Sequence, residues 1–119
     1  MITKKNTYVI LASFLFLSTQ ALDIYQSTTP VEKSKDEGKQ VFERFACNSC
    51  HGNSGEMEGD FSTLKERFTA ETLPEYINNP QAYDNKQMPV YDGMISDSEM
   101  EDLVAYLFLL GEELNRSDD

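Results

Sequence analysis

An all-α fold of about three to five helices is the architecture the sequence predicts. Four stretches carry the side-chain pattern of a helix start, a serine or threonine followed three residues later by glutamate. Two segments place apolar residues at i, i+3, i+4 and i+7, the spacing of one helix face. No convincing run of alternating β-branched residues competes with them.

The elements follow in order. Residues 1–21 read as a secretory signal. Lys4 and Lys5 form the positive start, Tyr8 to Leu17 the apolar stretch, and Ser18-Thr-Gln-Ala21 a small-residue site for cleavage after Ala21. The apolar stretch is about half of the roughly 20 residues a membrane span requires. An uncleaved anchor, its apolar run extended to Leu22, is the alternative. Either reading places the rest of the chain outside the cytoplasm, in the periplasm, and only the uncleaved form would touch a membrane. The segment lacks the arginine and amphipathic spacing of a mitochondrial transit peptide.

Residues 22–33, containing the polar stretch DIYQSTTPVEK, are expected to be a linker, and 34–111 the folded domain. Ser34-Lys-Asp-Glu37 predicts a helix from Lys35 to Phe45, with Gly38, Val41, Phe42 and Phe45 as its apolar stripe. A glycine inside a helix costs about 1 kcal/mol relative to alanine, so Gly38 suggests close approach of another helix. Thr63-Leu-Lys-Glu66 predicts a turn or two of helix over Thr63–Phe68. Thr72-Leu-Pro-Glu75 predicts a short helix over Leu73–Asn78, with Pro74 in its first turn and Asn79-Pro80 as its stop.

The stretch from Gln81 to Ile95 has no helical period and is broken by Pro89 and Gly93. An irregular connection of this length in a small domain is usually functional. Ser96-Asp-Ser-Glu99 then predicts a last helix over Asp97–Leu110, with Gly111 just past its end. Met100, Leu103, Val104, Leu107 and Leu110 form its buried face, with Tyr106 beside it, and this face is the expected partner of the first helix. Residues 112–119 are an acidic tail expected to fray.

Acids outnumber bases by 21 to 10, a formal charge of −11. Loss of Lys4 and Lys5 with a cleaved signal would make it more negative still. Such a charge argues against nucleic acid or anionic lipid as a partner, since phosphates reward Lys and Arg. It fits a basic docking surface on another protein, or serves solubility alone.

Both cysteines and the single histidine fall within Cys47-Asn48-Ser49-Cys50-His51. C-x-x-C-H is the attachment spacing of c-type haem. Cysteines three apart on a helical turn project to one side and can reach the two vinyl groups on one edge of a porphyrin, while the adjacent histidine can face the iron. Three other readings fit less well. Zinc needs four ligands, and no second Cys/His cluster completes the set. A thioredoxin-like redox pair wants a βαβ setting. A plain structural cysteine pair is the third.

With one histidine, a second axial ligand must be another residue type or the site is open. Met–His ligation raises the potential and suits electron transfer. Met57 is too near His51 in sequence to cross the ring, and Met100 lies on the core stripe of the last helix. Met88 and Met94 lie in the irregular loop. Met88 is favoured over Met94 because Pro89 stiffens the chain beside it.

These features together resemble a small monohaem cytochrome c of the His/Met type. The resemblance rests on GKQVFERFACNSCHG, YINNP and MPVYDGMISDSEMEDLVAYLFLL in that order, spanning Gly38 to Leu110. It implies one haem c bound covalently through Cys47 and Cys50, with His51 and Met88 on the iron. It implies crossing N- and C-terminal helices, with Gly38 and Phe42 against Tyr106. Where the family often carries Gly-Pro-x-Leu, whose carbonyl orients the axial histidine, this chain has GDFSTL, Gly59 to Leu64, without proline.

The function implied is that of a one-electron carrier in an extracytoplasmic chain, passing electrons through the haem edge to protein partners, and not an enzyme. A cytochrome subunit of a periplasmic oxidoreductase acting on a sulfur compound or an alcohol is the alternative. An open-site haem enzyme or sensor would require that Met88 not bind, and the chain has no second histidine to act as a distal acid–base group.

Overall fold

The computed structural model describes residues 29–117; the signal reading and most of the expected linker lie outside the described residues. Five α-helices and two 3-10 turns form the described chain, with no strand among the described residues.

Helix α1 spans Pro30–Arg44. It starts earlier than predicted, inside the segment expected to be a linker. The Thr29 hydroxyl accepts from the Glu32 amide at 3.4 Å, and Pro30 supplies a preset φ in the first turn. Ser34, expected to cap, lies within the helix instead. Its hydroxyl donates to Asp102 Oδ1 on the last helix at 2.7 Å. The helix stops where Ala46 takes a left-handed φ of 55°.

Helix α2 is the single turn Asn48–His51. A 3-10 turn at Phe61–Thr63 runs directly into α3, Leu64–Arg67. Thr63 makes no side-chain cap; Asp60 caps instead, accepting from the Ser62 amide at 3.0 Å. Helix α4 spans Thr72–Asn78. Here Thr69 caps from outside: its hydroxyl accepts from the Thr72 amide at 3.3 Å, and the Thr72 hydroxyl accepts from the Thr69 amide at 2.9 Å. Pro80–Tyr83 adds one 3-10 turn in the segment expected to lack helix.

Helix α5, Asp97–Ser117, has the predicted reciprocal cap. The Ser96 amide donates to Glu99 Oε2 at 3.0 Å, and the Glu99 amide donates to the Ser96 hydroxyl at 3.4 Å. The helix does not end at Gly111. Glu112 to Ser117, part of the segment expected to fray, continue it, because their side chains are tied to the rest of the domain. Glu112 pairs with Lys65, Glu113 with Lys35 at 2.8 Å, and Asn115 donates to the Ser62 carbonyl at 2.9 Å. Gly111 is instead a point of close approach: a Cβ there would lie 2.3 Å from the Phe61 carbonyl oxygen.

The core forms where α1 crosses α5. Phe42 is 1 % exposed and meets Tyr106 edge-on at 5.7 Å and Phe61 at 6.4 Å. Leu103, Val104, Leu107 and Leu110 of α5 complete it with Val41, Leu73 and Ile77. The crossing needs a glycine. A Cβ at Gly38 would lie 2.1 Å from the Asp102 carbonyl oxygen and 2.6 Å from Tyr106 Cβ.

Gly38→Ala is therefore expected to destabilise the fold by about 1–3 kcal/mol, since overpacking against backbone outweighs the better helix propensity of alanine. Urea unfolding of the purified protein measures it; a gain of about 1 kcal/mol would contradict the close crossing.

Candidate functional site

The turn that follows α1 sets the geometry of the Cys-His cluster. After Ala46 reverses the chain, the Cys47 amide donates back to the Phe42 carbonyl at 3.0 Å, and the His51 amide donates to the Cys47 carbonyl at 3.0 Å. One helical turn from Cys47 to His51 places the two cysteines three residues apart on neighbouring positions of one face. Gly52, with φ 77°, turns the chain away. Neither cysteine is in a disulfide.

His51 is held by backbone. Its Nδ1 is hydrogen-bonded to the Glu58 carbonyl oxygen. A carbonyl only accepts, so Nδ1 carries the proton and Nε2 keeps its lone pair for a ligand. The segment that supplies this carbonyl is clamped at both sides: the Met57 amide donates to the His51 carbonyl and the Glu58 amide to the Cys50 carbonyl, each at 3.1 Å. The orienting carbonyl thus comes from Glu58, one residue before the GDFSTL stretch, and two backbone hydrogen bonds hold it where the family often has a proline nearby. The Phe61 ring lies 4.9 Å from the His51 ring and backs it against the core.

Cys47, Cys50, His51 and Met88 all line one cavity of about 490 Å³, within the roughly 300–1,000 Å³ range of cofactor and ligand sites. Its walls are core side chains, among them Phe42, Phe61, Leu64, Leu73, Ile77 and Leu103. Arg67, Tyr76, Asn85 and Gln87 add polar groups. A large, mostly apolar space with two thiols, an imidazole with a free lone pair and a thioether is chemically suited to a haem held at one edge by sulfur and ligated on the iron.

Met88 is half-buried and packs against the core. Met94 is 59 % exposed and does not line the cavity. Met57 is also exposed, and Met100 is buried on the inner face of α5. Among the described residues, the structure therefore brings Met88, and not Met57, Met94 or Met100, to the cavity that holds His51.

The thiol chemistry weighs on the competing readings. Burial pushes the Cys47 thiol up, opposed by its own backbone amide. A nucleophilic redox cysteine needs the opposite shift. Among the described residues no group of three or more His, Cys, Asp or Glu side chains is placed to hold a metal ion, so the protein donors of a structural zinc site are not assembled. Burial also raises the Tyr91 phenol, followed by the neighbouring Cys47, and its hydroxyl donates to the Phe45 carbonyl at 3.3 Å, closing the wall beside the motif.

Sequence reasoning did not single out the Glu58 carbonyl, Tyr91, Arg67, Tyr76 or Asn85. Only Asn85 left a readable signal: an asparagine three residues before the methionine is placed to cap the turn that carries it.

A family model described as "Cytochrome C oxidase, cbb3-type, subunit III" matches residues 33–107. "Cytochrome c oxidase subunit 2" of Alkalihalophilus pseudofirmus is 36 % identical over 90 residues, covering 66 % of this chain and 26 % of that protein. The chain thus spans about a quarter of the length of that relative. No solved structure matches.

Phe61→Ala should cost about 3–5 kcal/mol, because the ring fills the space between Phe42 and His51. Chemical unfolding checks it, and a loss below about 1 kcal/mol would show that Phe61 does not brace the imidazole.

Proposed function

The chain belongs to the cytochrome c domain family described as cbb3-type cytochrome c oxidase subunit III, and from that premise we propose that it is a one-electron carrier working outside the cytoplasm. The family implies haem c and electron transfer, and the all-α arrangement is its cytochrome c fold. The observation that carries the finer reading is the convergence of both cysteines, the single histidine and Met88 on one apolar cavity.

In this reading Cys47 and Cys50 would hold one haem c by thioether bonds, and His51 and Met88 would ligate its iron. The bound haem supplies a site that stores one electron by cycling between the ferrous and ferric states. The protein supplies the rest. The Glu58 carbonyl fixes the tautomer and orientation of His51. A thioether from Met88 favours the ferrous state. The apolar walls would keep water from a bound iron, which would also favour a higher potential.

The partner proposed is a redox protein with a basic docking surface. Lys33, Lys35, Lys39, Arg44 and Lys65 are each paired with a glutamate. These five of the ten cations are thus matched by acids, and the excess of 21 acids over 10 bases sets the field of the molecule. The secretory reading of residues 1–21 supports a periplasmic location. A second reading, a haem-bearing subunit of a larger oxidase, is favoured by the name of the relative matched.

Two outcomes test this function. Met88→Ala should remove the sulfur-to-iron charge-transfer band of the ferric protein and lower its midpoint potential, while Cys47→Ser or Cys50→Ser should reduce covalently attached haem; a double cysteine variant with normal covalent haem would refute the attachment. Electron transfer to a basic partner should slow as ionic strength rises from 10 mM to 150 mM, in line with a Debye length that falls from about 30 Å to about 8 Å. A rate independent of salt would remove the electrostatic docking.

A further inference from the structure

The loop that carries Met88 has almost no backbone hydrogen bonding of its own. Asn85 enters it with its amide donating to the Pro80 carbonyl at 3.1 Å, and the next backbone-to-backbone contact of an amide is Asp92 to the Asn78 carbonyl at 3.2 Å. Between these, among the described residues, no backbone-to-backbone hydrogen bond holds residues 86–90. Pro89 has no amide to offer. A ligand in such a segment would drift unless a side chain fixed it.

Asn85 is that side chain. Its Oδ1 accepts from the Gln87 amide at 3.1 Å and from the Met88 amide at 3.2 Å. Its Nδ2 donates to the Tyr76 hydroxyl at 2.6 Å. Tyr76 belongs to α4 and is set between Phe68, 4.8 Å away, and Tyr83, 5.4 Å away. Asn85, Tyr76 and Met88 line the same cavity. One amide group therefore links the backbone of Met88 to an aromatic cluster on a helix.

We propose that Asn85 is a positioning residue for the Met88 sulfur, holding it toward the iron by fixing the Gln87 and Met88 amides to Tyr76. This rests on the reading of Met88 as an axial ligand. Without the anchor the loop samples more conformations, and the entropy of ordering it falls on each Met88–iron bond that forms. A small external ligand then competes better for the iron. A merely structural role for Asn85 would lower global stability without changing that competition.

The test uses the ferric holoprotein with imidazole as the probe. Asn85→Ala should raise imidazole affinity at least tenfold and weaken the sulfur-to-iron charge-transfer band. Asn85→Asp keeps an oxygen for both amides and another to accept from the Tyr76 hydroxyl, so it should retain the band and stay within threefold of the unaltered affinity. Met88→Ala, measured in parallel, should give the largest increase. If Met88→Ala raises the affinity and Asn85→Ala leaves it within threefold, the positioning role is overturned and Met88 remains the ligand. If Met88→Ala changes neither band nor affinity, the ligand assignment falls and the positioning role with it. Should Asn85→Ala fail to accumulate with haem, amide exchange on the unaltered holoprotein decides: protection of the Gln87 and Met88 amides at least tenfold above that of Lys86 and Val90 supports the anchor, and equal protection overturns it.

Discussion

The backbone contact between α1 and α5 at Gly38 is the constraint from which the rest of the domain follows. Only a residue without a side chain lets the Asp102 carbonyl and Tyr106 come so near. With the helices at that distance, Phe42 is driven into the centre against Tyr106 and Phe61. The end of α1 is then fixed, and with it the turn that presents Cys47, Cys50 and His51. A second contact of the same kind, Gly111 against the Phe61 carbonyl, ties the far end of α5 to the segment that backs the histidine. The exposed ion pairs along this seam contribute little each, about 0–1 kcal/mol, beside the burial of the aromatic and aliphatic side chains.

The cavity is continuous with this core. Phe42, Phe61, Leu64 and Leu103 face it while also packing on one another. A cofactor held there would be part of the hydrophobic interior of a small domain, and its binding would stabilise the folded state. The two residues that would ligate an iron are held differently. His51 sits on a short helical turn held by two backbone hydrogen bonds, from the Met57 and Glu58 amides, and by its own ring Nδ1 on the Glu58 carbonyl. Met88 sits on a segment held by one side chain. Backbone carbonyl contact fixes the imidazole, while the Met88 backbone depends on Asn85.

Much of this was legible in the sequence because the signals were local. The cap at Ser96 and Glu99 forms as its spacing predicts, and the apolar stripes of α1 and α5 meet as their period requires. The three other capping patterns misled for physical reasons. Ser34 is drawn to Asp102 across the crossing, so Thr29 with Pro30 starts the helix. Asp60 and Thr69, each upstream of the threonine expected to cap, bind the exposed amides first. Gly111 looked like a stop, yet the close approach of Phe61 demands a glycine within the helix, and Lys35, Lys65 and the Ser62 carbonyl hold the turns that follow. At the site, Cys47, Cys50, His51 and Met88, singled out from residue type and spacing, line one cavity. The Glu58 carbonyl was not singled out, since any residue can supply one, and only the folded path of the chain selects it.

Covalent attachment of haem to the unaltered chain tests the central claim most directly. The holoprotein can be extracted with acidified solvent, and the mass and pyridine haemochrome spectrum of the remaining polypeptide recorded. One haem per chain should stay with the polypeptide and show the haemochrome of a ring whose two vinyl groups are saturated by Cys47 and Cys50. A polypeptide that loses all its haem to the solvent, or that carries none as purified, would contradict the account.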